Sequence, residues 1–306
     1  MNSYDIVIVG GGPAGYTAAL YGGRAGYTVA VIERTAPGGQ MAITSNIENY
    51  PGFTSVGGFE LAEKMVEGAE RFGAVTIYGE VTSVSLEGDE KSVVLDDGSV
   101  IAARAVIIAT GAYPRRLSIP GEDEYEGRGV SYCATCDGMF FRGKTVAVVG
   151  GGDTAFEDAL YLSNLCERVF IVHRRDEFRA AVSTVKRAAE RENIEFIYNA
   201  LPTEILGSDN RVSALVYEDR VSGERHTLPC SAVFVAVGRT PDTALLRGQV
   251  ELDGSGYVLA DETCRTSADG VFAIGDVRTK PLRQVVTACA DGACAVHFAG
   301  EWLGRV

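Results

Sequence analysis

The chain has 306 residues, 46% of them hydrophobic, with 28 basic against 41 acidic side chains and a formal charge of −13. That length suits two compact domains of ordinary size. The acidity repels a phosphate backbone and anionic lipid, which argues against nucleic acid or a membrane surface as a partner. No apolar run approaches the roughly 18 to 20 residues that span a bilayer.

The N-terminus leads straight into a strand-like run, so no signal peptide is expected and the protein is expected in the cytoplasm. Five of the seven cysteines (Cys166, Cys230, Cys264, Cys289, Cys294) are scattered rather than framework-spaced. In a reducing compartment the remaining close pair, Cys133 and Cys136, is more often catalytic or metal-binding than structural.

The opening YDIVIVGGGPAGYTAALYGGRAGYTVAVIE predicts a buried strand over 5–9, a glycine turn, a helix from about 13 and a second strand over 28–32. KTVAVVGGGDTAFEDALYLSNLCERVFIVHRR repeats that grammar from residue 144. Each copy continues through a helical stretch (60–72 and 179–191) and hairpin-like strands with turns such as Asp97-Gly98 and Ser222-Gly223. Each ends on an apolar strand that stops at a glycine, Gly111 or Gly238. Two copies of a nucleotide-binding plan organise the chain. DGVFAIGD then gives one more short strand, followed by an apolar helix over about 283–302. Having no glycine turn of its own, this tail is expected to complete the first copy. The second domain is then inserted into the first, with crossings near 119–121 and 239–241.

The first turn, Gly10, Gly12, Pro13, Ala14 and Gly15, lets a pyrophosphate approach the backbone and meet the free N–H groups of a helix N-terminus. Glu33 ends the next strand, where a carboxylate can accept ribose hydroxyls. A purely structural glycine turn is the plainer alternative, and the strand, helix, strand and Glu33 together weigh against it. The second turn comprises Gly150, Gly152, Asp153, Thr154 and Ala155. In place of Glu33 the chain there reads His173-Arg174-Arg175, with Arg179 close behind. Guanidinium groups pair bidentately with a 2′-phosphate, which favours NADPH over NADH. A solvated basic start to a helix is the alternative. One resident and one exchanging dinucleotide follow, FAD at the first site and NADPH at the second.

SYCATCDG carries the cysteine pair into the inserted domain. Zinc needs about two further ligands at suitable spacing, and neither a second CxxC nor a CxxH exists, so no metal is expected. Inert core thiols remain a second possibility. A dithiol exchanging with a disulfide is the favoured reading, one sulfur activated at a helix start and the other resolving the mixed disulfide. Asp137 is placed to move protons, or to serve as a plain helix cap.

SYCATCDGMFF, GGGPAGYTAALY, GGQM…IENYPGF, GGGDTAFEDA, HRRDEFRA and FAIGDV…LRQVVTA together resemble the low-molecular-weight thioredoxin reductases, in order and over nearly the whole chain. The resemblance implies an α/β fold of two Rossmann-like dinucleotide-binding domains, each a three-layer ββα arrangement. FAD is expected in 1–116 and 243–306, with NADPH and the redox cysteines in 117–242. It also implies a homodimer and a thioredoxin-like disulfide protein as partner. Carried over by motif, Cys136 faces the flavin, Cys133 attacks the partner disulfide, and Asp137 is the acid–base catalyst. Gly39, Gln40, Asn49, Val81, Thr110, Gly111, Gly275, Asp276, Arg283 and Gln284 join the first turn at FAD. His173, Arg174, Arg175, Arg179 and Gly238 join the second turn at NADPH. The tail departs from the pattern with Cys289 and Cys294. They stand five apart on a helix and share no face well, so they are read as small buried residues.

NADPH and the dithiol both ride on the inserted domain and cannot occupy one flavin face together. The domain is therefore expected to rotate about its paired crossings between half-reactions. Rival readings are a flavin-dependent dithiol oxidase, which has no need of the arginines, and a related reductase driven by NADH or ferredoxin. The flavoprotein component of a peroxide-reducing system, which carries an added N-terminal redox domain, and a non-enzymatic redox sensor complete the set.

Overall fold

The computed structural model describes residues 2–44 and 46–304. The chain divides into two compact units, Met1–Tyr113 with Thr240–Val306, and Pro114–Arg239.

In the first unit, β1 (Asn2–Val9) is followed by α1 (Pro13–Arg24), β2 (Val29–Glu33), α2 (Gly58–Glu70), β3 (Val75–Tyr78), β4 (Val81–Ser85), β5 (Lys91–Leu95) and β6 (Val100–Ile108). Pro13 occupies the first turn of α1, where its missing N–H leaves no hydrogen bond unmade. The sheet order is β3-β2-β1-β6-β5-β4, parallel from β3 to β6 and antiparallel beyond. Ile6, Val7, Ile8 and Val9 are all buried, as a central parallel strand requires. Side chains alternate across the sheet. Ile6 and Ile8 join Ala18 and Ala295 in one core, while Val7 and Val9 join Val93, Ile101 and Val258 in another.

A short strand, β7 (Ala112–Pro114), leads out of this unit. The second unit contains β8 (Val130–Ser131), α3 (Ala134–Asp137), β9 (Thr145–Val149), α4 (Asp153–Ser163), β10 (Arg168–Val172), α5 (Val182–Ala189) and β11 (Ile194–Ile197). An antiparallel sheet follows, β12 (Ala200–Ser208), β13 (Arg211–Asp219) and β14 (Arg225–Pro229), and then β15 (Ala232–Val235). The parallel sheet runs β11-β10-β9-β15-β8. Val146 and Val148 pack with Ala155 and Phe156 under the helices; Ala147 and Val149 pack with Ile205 and Leu215 under the antiparallel sheet. Each unit thus has helices on one face of a parallel sheet and β-structure on the other.

The return crossing, β16 (Arg239–Pro241), pairs with β7 in a two-stranded ribbon. The tail adds β17 (Val271–Ala273), parallel to β6, and α6 (Val285–Trp302), which packs against α1. A Cβ at Gly292 would lie 2.5 Å from the Ala14 carbonyl oxygen and 2.9 Å from the Ala18 nitrogen, so only glycine lets the two backbones approach this closely.

Two helices are shorter than their sequence patterns suggest. The 179–191 stretch becomes helical only at Val182, because the Arg179 and Ala180 N–H groups donate to the Gly151 carbonyl and Ala181 N–H to the Asp153 carboxylate. The tail helix starts at Val285, where Gln284 and Thr287 form a reciprocal capping box.

Candidate active site

Around the first turn the chain brings distant segments together. Gly10 has φ +111°, and a Cβ there would stand 2.4 Å from the Ala109 carbonyl oxygen, so the sharp exit from β1 requires glycine. Gly38 N–H donates to the Gly11 carbonyl at 2.7 Å, which sets Gly39 and Gln40 beside the turn. A Cβ at Gly275 would be 3.1 Å from that of Ala14, so the Gly275-Asp276 turn flanks it as well. Glu33 accepts the Gly11 N–H on one oxygen and the Thr35 N–H on the other, both at 2.9 Å. The oxygen that takes Gly11 keeps a lone pair for a further donor, while the other also accepts the Thr35 hydroxyl at 3.5 Å.

Other residues assigned to this site lie in the same unit with different neighbours. Asn49 donates to the Gln284 side chain at 3.1 Å, which fixes both amides at the start of α6. Arg283 donates to the Asp276 carbonyl at 3.4 Å, and its guanidinium lies over Tyr257. Thr110 donates to the Asp242 carbonyl at 2.7 Å, and the Asp242 N–H returns to Gly111. Val81 packs into the sheet core, while Gly79 donates its N–H to the Glu33 carbonyl.

Sequence reasoning missed a buried ion cluster behind the Gly275 turn. Asp291 accepts from Gly275 N–H at 2.9 Å, from Arg278 at 3.2 Å and from Lys280 at 2.7 Å. A lone aspartate in an apolar helix, with two cations just upstream, was the available signal.

The second turn repeats the first with different chemistry. Both α1 and α4 begin at a glycine N-cap without a side-chain cap, which leaves their first N–H groups facing outward. A Cβ at Gly12 or Gly152 would meet nothing within 4 Å. Open approach, uncapped donors and a positive dipole end fit the pyrophosphate of a dinucleotide at either turn. Arg174, Arg175 and Arg179 are exposed at the end of β10, and the Arg179 N–H lies 2.7 Å from the Gly151 carbonyl oxygen. His173 stands apart from them, buried beneath Gly151 with Nε2 3.1 Å from the Glu177 carbonyl oxygen. Burial, together with the three arginines, lowers its pKa and keeps the ring neutral. It supports the turn and adds no charge. Gly238 has φ +109° and accepts the Arg115 N–H on its carbonyl.

Cys133 and Cys136 form a disulfide with a Cα–Cα separation of 5.3 Å. Cys133 is the N-cap of α3, a single turn, with its sulfur 3.5 Å from the Thr135 hydroxyl. A helix this short has little dipole to offer a thiolate. Asp137 is the last residue of α3 and makes no capping bond, which corrects the plain-cap alternative. Its Oδ2 instead accepts the Ser131 hydroxyl at 2.6 Å, and the same hydroxyl oxygen accepts the Cys133 N–H at 3.1 Å. Burial raises the Asp137 pKa, and the Ser131 bond opposes the rise. The carboxyl group is thereby suited to hold a proton. Spacing gave no hint of Ser131 or Thr135 in this role.

Cys289 and Cys294, expected to be buried, are half-exposed. Among the described residues no group of three or more His, Cys, Asp or Glu could hold a metal, and no helix is long and apolar enough to cross a membrane.

The family model "Pyridine nucleotide-disulphide oxidoreductase" matches residues 4–292. A thioredoxin reductase of Listeria innocua is 46% identical over 98% of this chain and 94% of its own length. One from Bacillus subtilis is 44% identical over 98% and 95%. The crystal structure of thioredoxin reductase from Streptococcus pyogenes superposes with a TM-score of 0.94 at 45% identity, covering 99% of both chains. The twin glycine turns and the bonded CxxC agree with these matches: the chain belongs to the pyridine nucleotide-disulphide oxidoreductase family, among its low-molecular-weight thioredoxin reductases.

Proposed function

We propose that this protein is an NADPH-dependent flavoprotein that reduces the disulfide of a thioredoxin-like protein. The observation that carries the proposal is the Cys133–Cys136 disulfide, set in the unit that also holds the arginine-marked turn, while the other unit holds a complete second turn. The names of the relatives support the substrate class. The exposed Arg174, Arg175 and Arg179 support a 2′-phosphate and weigh against an oxidase that needs no nicotinamide.

Held at the 10–15 and 150–155 turns, FAD and NADPH would supply the electron pair that reduces a disulfide. The residues on the chain then divide the work. Cys136 receives the pair, and Cys133 leaves as the free sulfur. The Cys133 thiolate attacks the partner's disulfide, forming a mixed disulfide and expelling one partner thiolate. Cys136 next attacks the Cys133 sulfur, which releases the second partner thiol and restores the Cys133–Cys136 bond. Asp137, held by Ser131, gives and recovers the proton these departures need. Met139 and Phe140, immediately after the dithiol, are 47% and 50% exposed and offer an apolar surface to a protein partner.

Donor site and dithiol share the inserted unit, and β7 and β16 pair at its two crossings. We therefore infer that this unit rotates between half-reactions. A cytoplasmic homodimer is part of the same reading and rests on the resemblance. The test is NADPH oxidation with a thioredoxin as acceptor. Turnover by the protein as isolated, lost in Cys133→Ser and Cys136→Ser, agrees with the proposal; turnover that survives either substitution refutes the role given to the pair.

A further inference from the structure

Cys264 and Cys294 meet in a notch between the segment after Ala260 and the middle of α6. Cys264 Sγ donates to the Asp291 carbonyl at 3.7 Å, and Cys294 Sγ donates to the Glu262 carbonyl at 3.0 Å. Each thiol thus bonds the backbone two or three residues from the other. Helical side chains lie over the preceding turn, which sets Cys294 above Asp291, whose carbonyl takes the Cys264 thiol, and the two sulfurs are near enough for each to influence the other's titration. Cys264 is 1% exposed, whereas Cys294 is half-exposed. The backbone of Cys264 has φ +62°, a conformation in which non-glycine residues persist only where the surroundings hold them. Its N–H donates to the Asp261 carbonyl at 3.0 Å, and its carbonyl accepts the Ala273 N–H at 2.9 Å. Cys289 is engaged elsewhere, with the Tyr50 hydroxyl and the Pro13 carbonyl.

We propose that Cys264 and Cys294 are a second redox pair, a site where a hydroperoxide converts two thiols into a disulfide that staples the 261–265 segment to α6. The Cys294 thiolate attacks the peroxide O–O bond, giving a sulfenic acid and one water once the departing hydroxide is protonated. The Cys264 thiol attacks that sulfur, displaces a second water and closes the S–S bond. Two thiols and one hydrogen peroxide thus yield one disulfide and two waters. A small dithiol reverses the step by exchange.

Burial pushes the Cys264 thiol up to about 12 and raises Cys294 as well. Asp291 and Glu262 add to the rise at Cys294, and Arg278 opposes it. Both are protonated thiols near neutral pH, so the pair oxidises slowly and stays out of turnover at Cys133–Cys136. The staple acts on the α6 turn that carries Asp291, whose carboxylate holds the Gly275 N–H, Arg278 and Lys280.

The experiment uses the full chain carrying Cys133→Ser, Cys136→Ser and Cys289→Ala, treated with hydrogen peroxide at mildly alkaline pH, alkylated and mapped by mass spectrometry without reduction. The expected result is a cross-linked peptide pair joining residues 264 and 294, together with a thermal midpoint raised by about 5 °C. Dithiothreitol reverses both, and the added half-exposed substitution Cys294→Ser abolishes both. A Cys294 sulfinic acid beside an alkylatable Cys264, or two thiols that stay reduced, overturns the proposal.

Discussion

Ser131 gives its hydroxyl hydrogen to Asp137 at 2.6 Å and accepts the Cys133 N–H at 3.1 Å, so one side chain ties the acid to the backbone of the thiol. Because this bond opposes the burial that raises the Asp137 pKa, Ser131→Ala should raise it further. The pH at which the carboxyl group loses its proton should climb, read from the pH dependence of single-turnover reduction of the partner disulfide. A raised folded-state pKa means a stability contribution present at acid pH and lost as pH rises through it. The variant should therefore lose roughly 1 kcal/mol relative to the parent at neutral pH, measured by urea unfolding. An unshifted profile removes Ser131 from the proton path.

The clamp should read phosphate and nothing else. Arg174→Ala with Arg175→Ala should raise KM for NADPH by about 10- to 100-fold and leave KM for NADH nearly unchanged. Arg179 touches the turn through its backbone, so Arg179→Ala keeps that bond and isolates the guanidinium. Equal losses with both nucleotides would point to a damaged turn rather than a 2′-phosphate site.

The parts of the fold that repeat were legible in the sequence. GGGPAG and GGGDTA sit between runs with strand and helix periodicity, and local grammar of that kind survives tertiary context. Cys133 and Cys136 were legible because their short spacing geometrically permits a bond. Ser131, Thr135 and the Asp291–Arg278–Lys280 cluster were not, since their meaning lies in contacts that only folding creates. His173 is adjacent in sequence to Arg174 and Arg175, yet its ring lies buried beneath Gly151 while both arginines are exposed past the end of β10.

Asp158 on α4 has its pKa pushed up to about 7, mainly by burial, with Arg239 working against the shift. The unfolded chain binds its proton near the ordinary carboxylate value, so the folded protein holds more protons between that value and about 7. Stability from this group is full at acid pH and falls as pH rises through that window. Asp158→Asn should flatten the decline in urea midpoint between weakly acidic and weakly alkaline buffer. A slope as steep as the parent's would assign the dependence elsewhere.

Among the described residues Asp291 is the only anion bonded to both Arg278 and Lys280, whose side chains are each 6% exposed. Asp291→Asn leaves two buried cations poorly compensated and should cost about 3 kcal/mol or more in unfolding free energy. Because Asp291 also holds the Gly275 N–H, retention of flavin through gel filtration should fall in parallel.

The central claim is that electrons enter from NADPH and come to rest on Cys133–Cys136, and an anaerobic reductive titration reads it most directly. Followed by flavin bleaching, the protein should take up about four electrons, with NADPH effective well below the concentration of NADH required. Cys133→Ser or Cys136→Ser should reduce the uptake to about two. A flavin that stays oxidised in NADPH, or a cysteine variant that still accepts four electrons, contradicts the account.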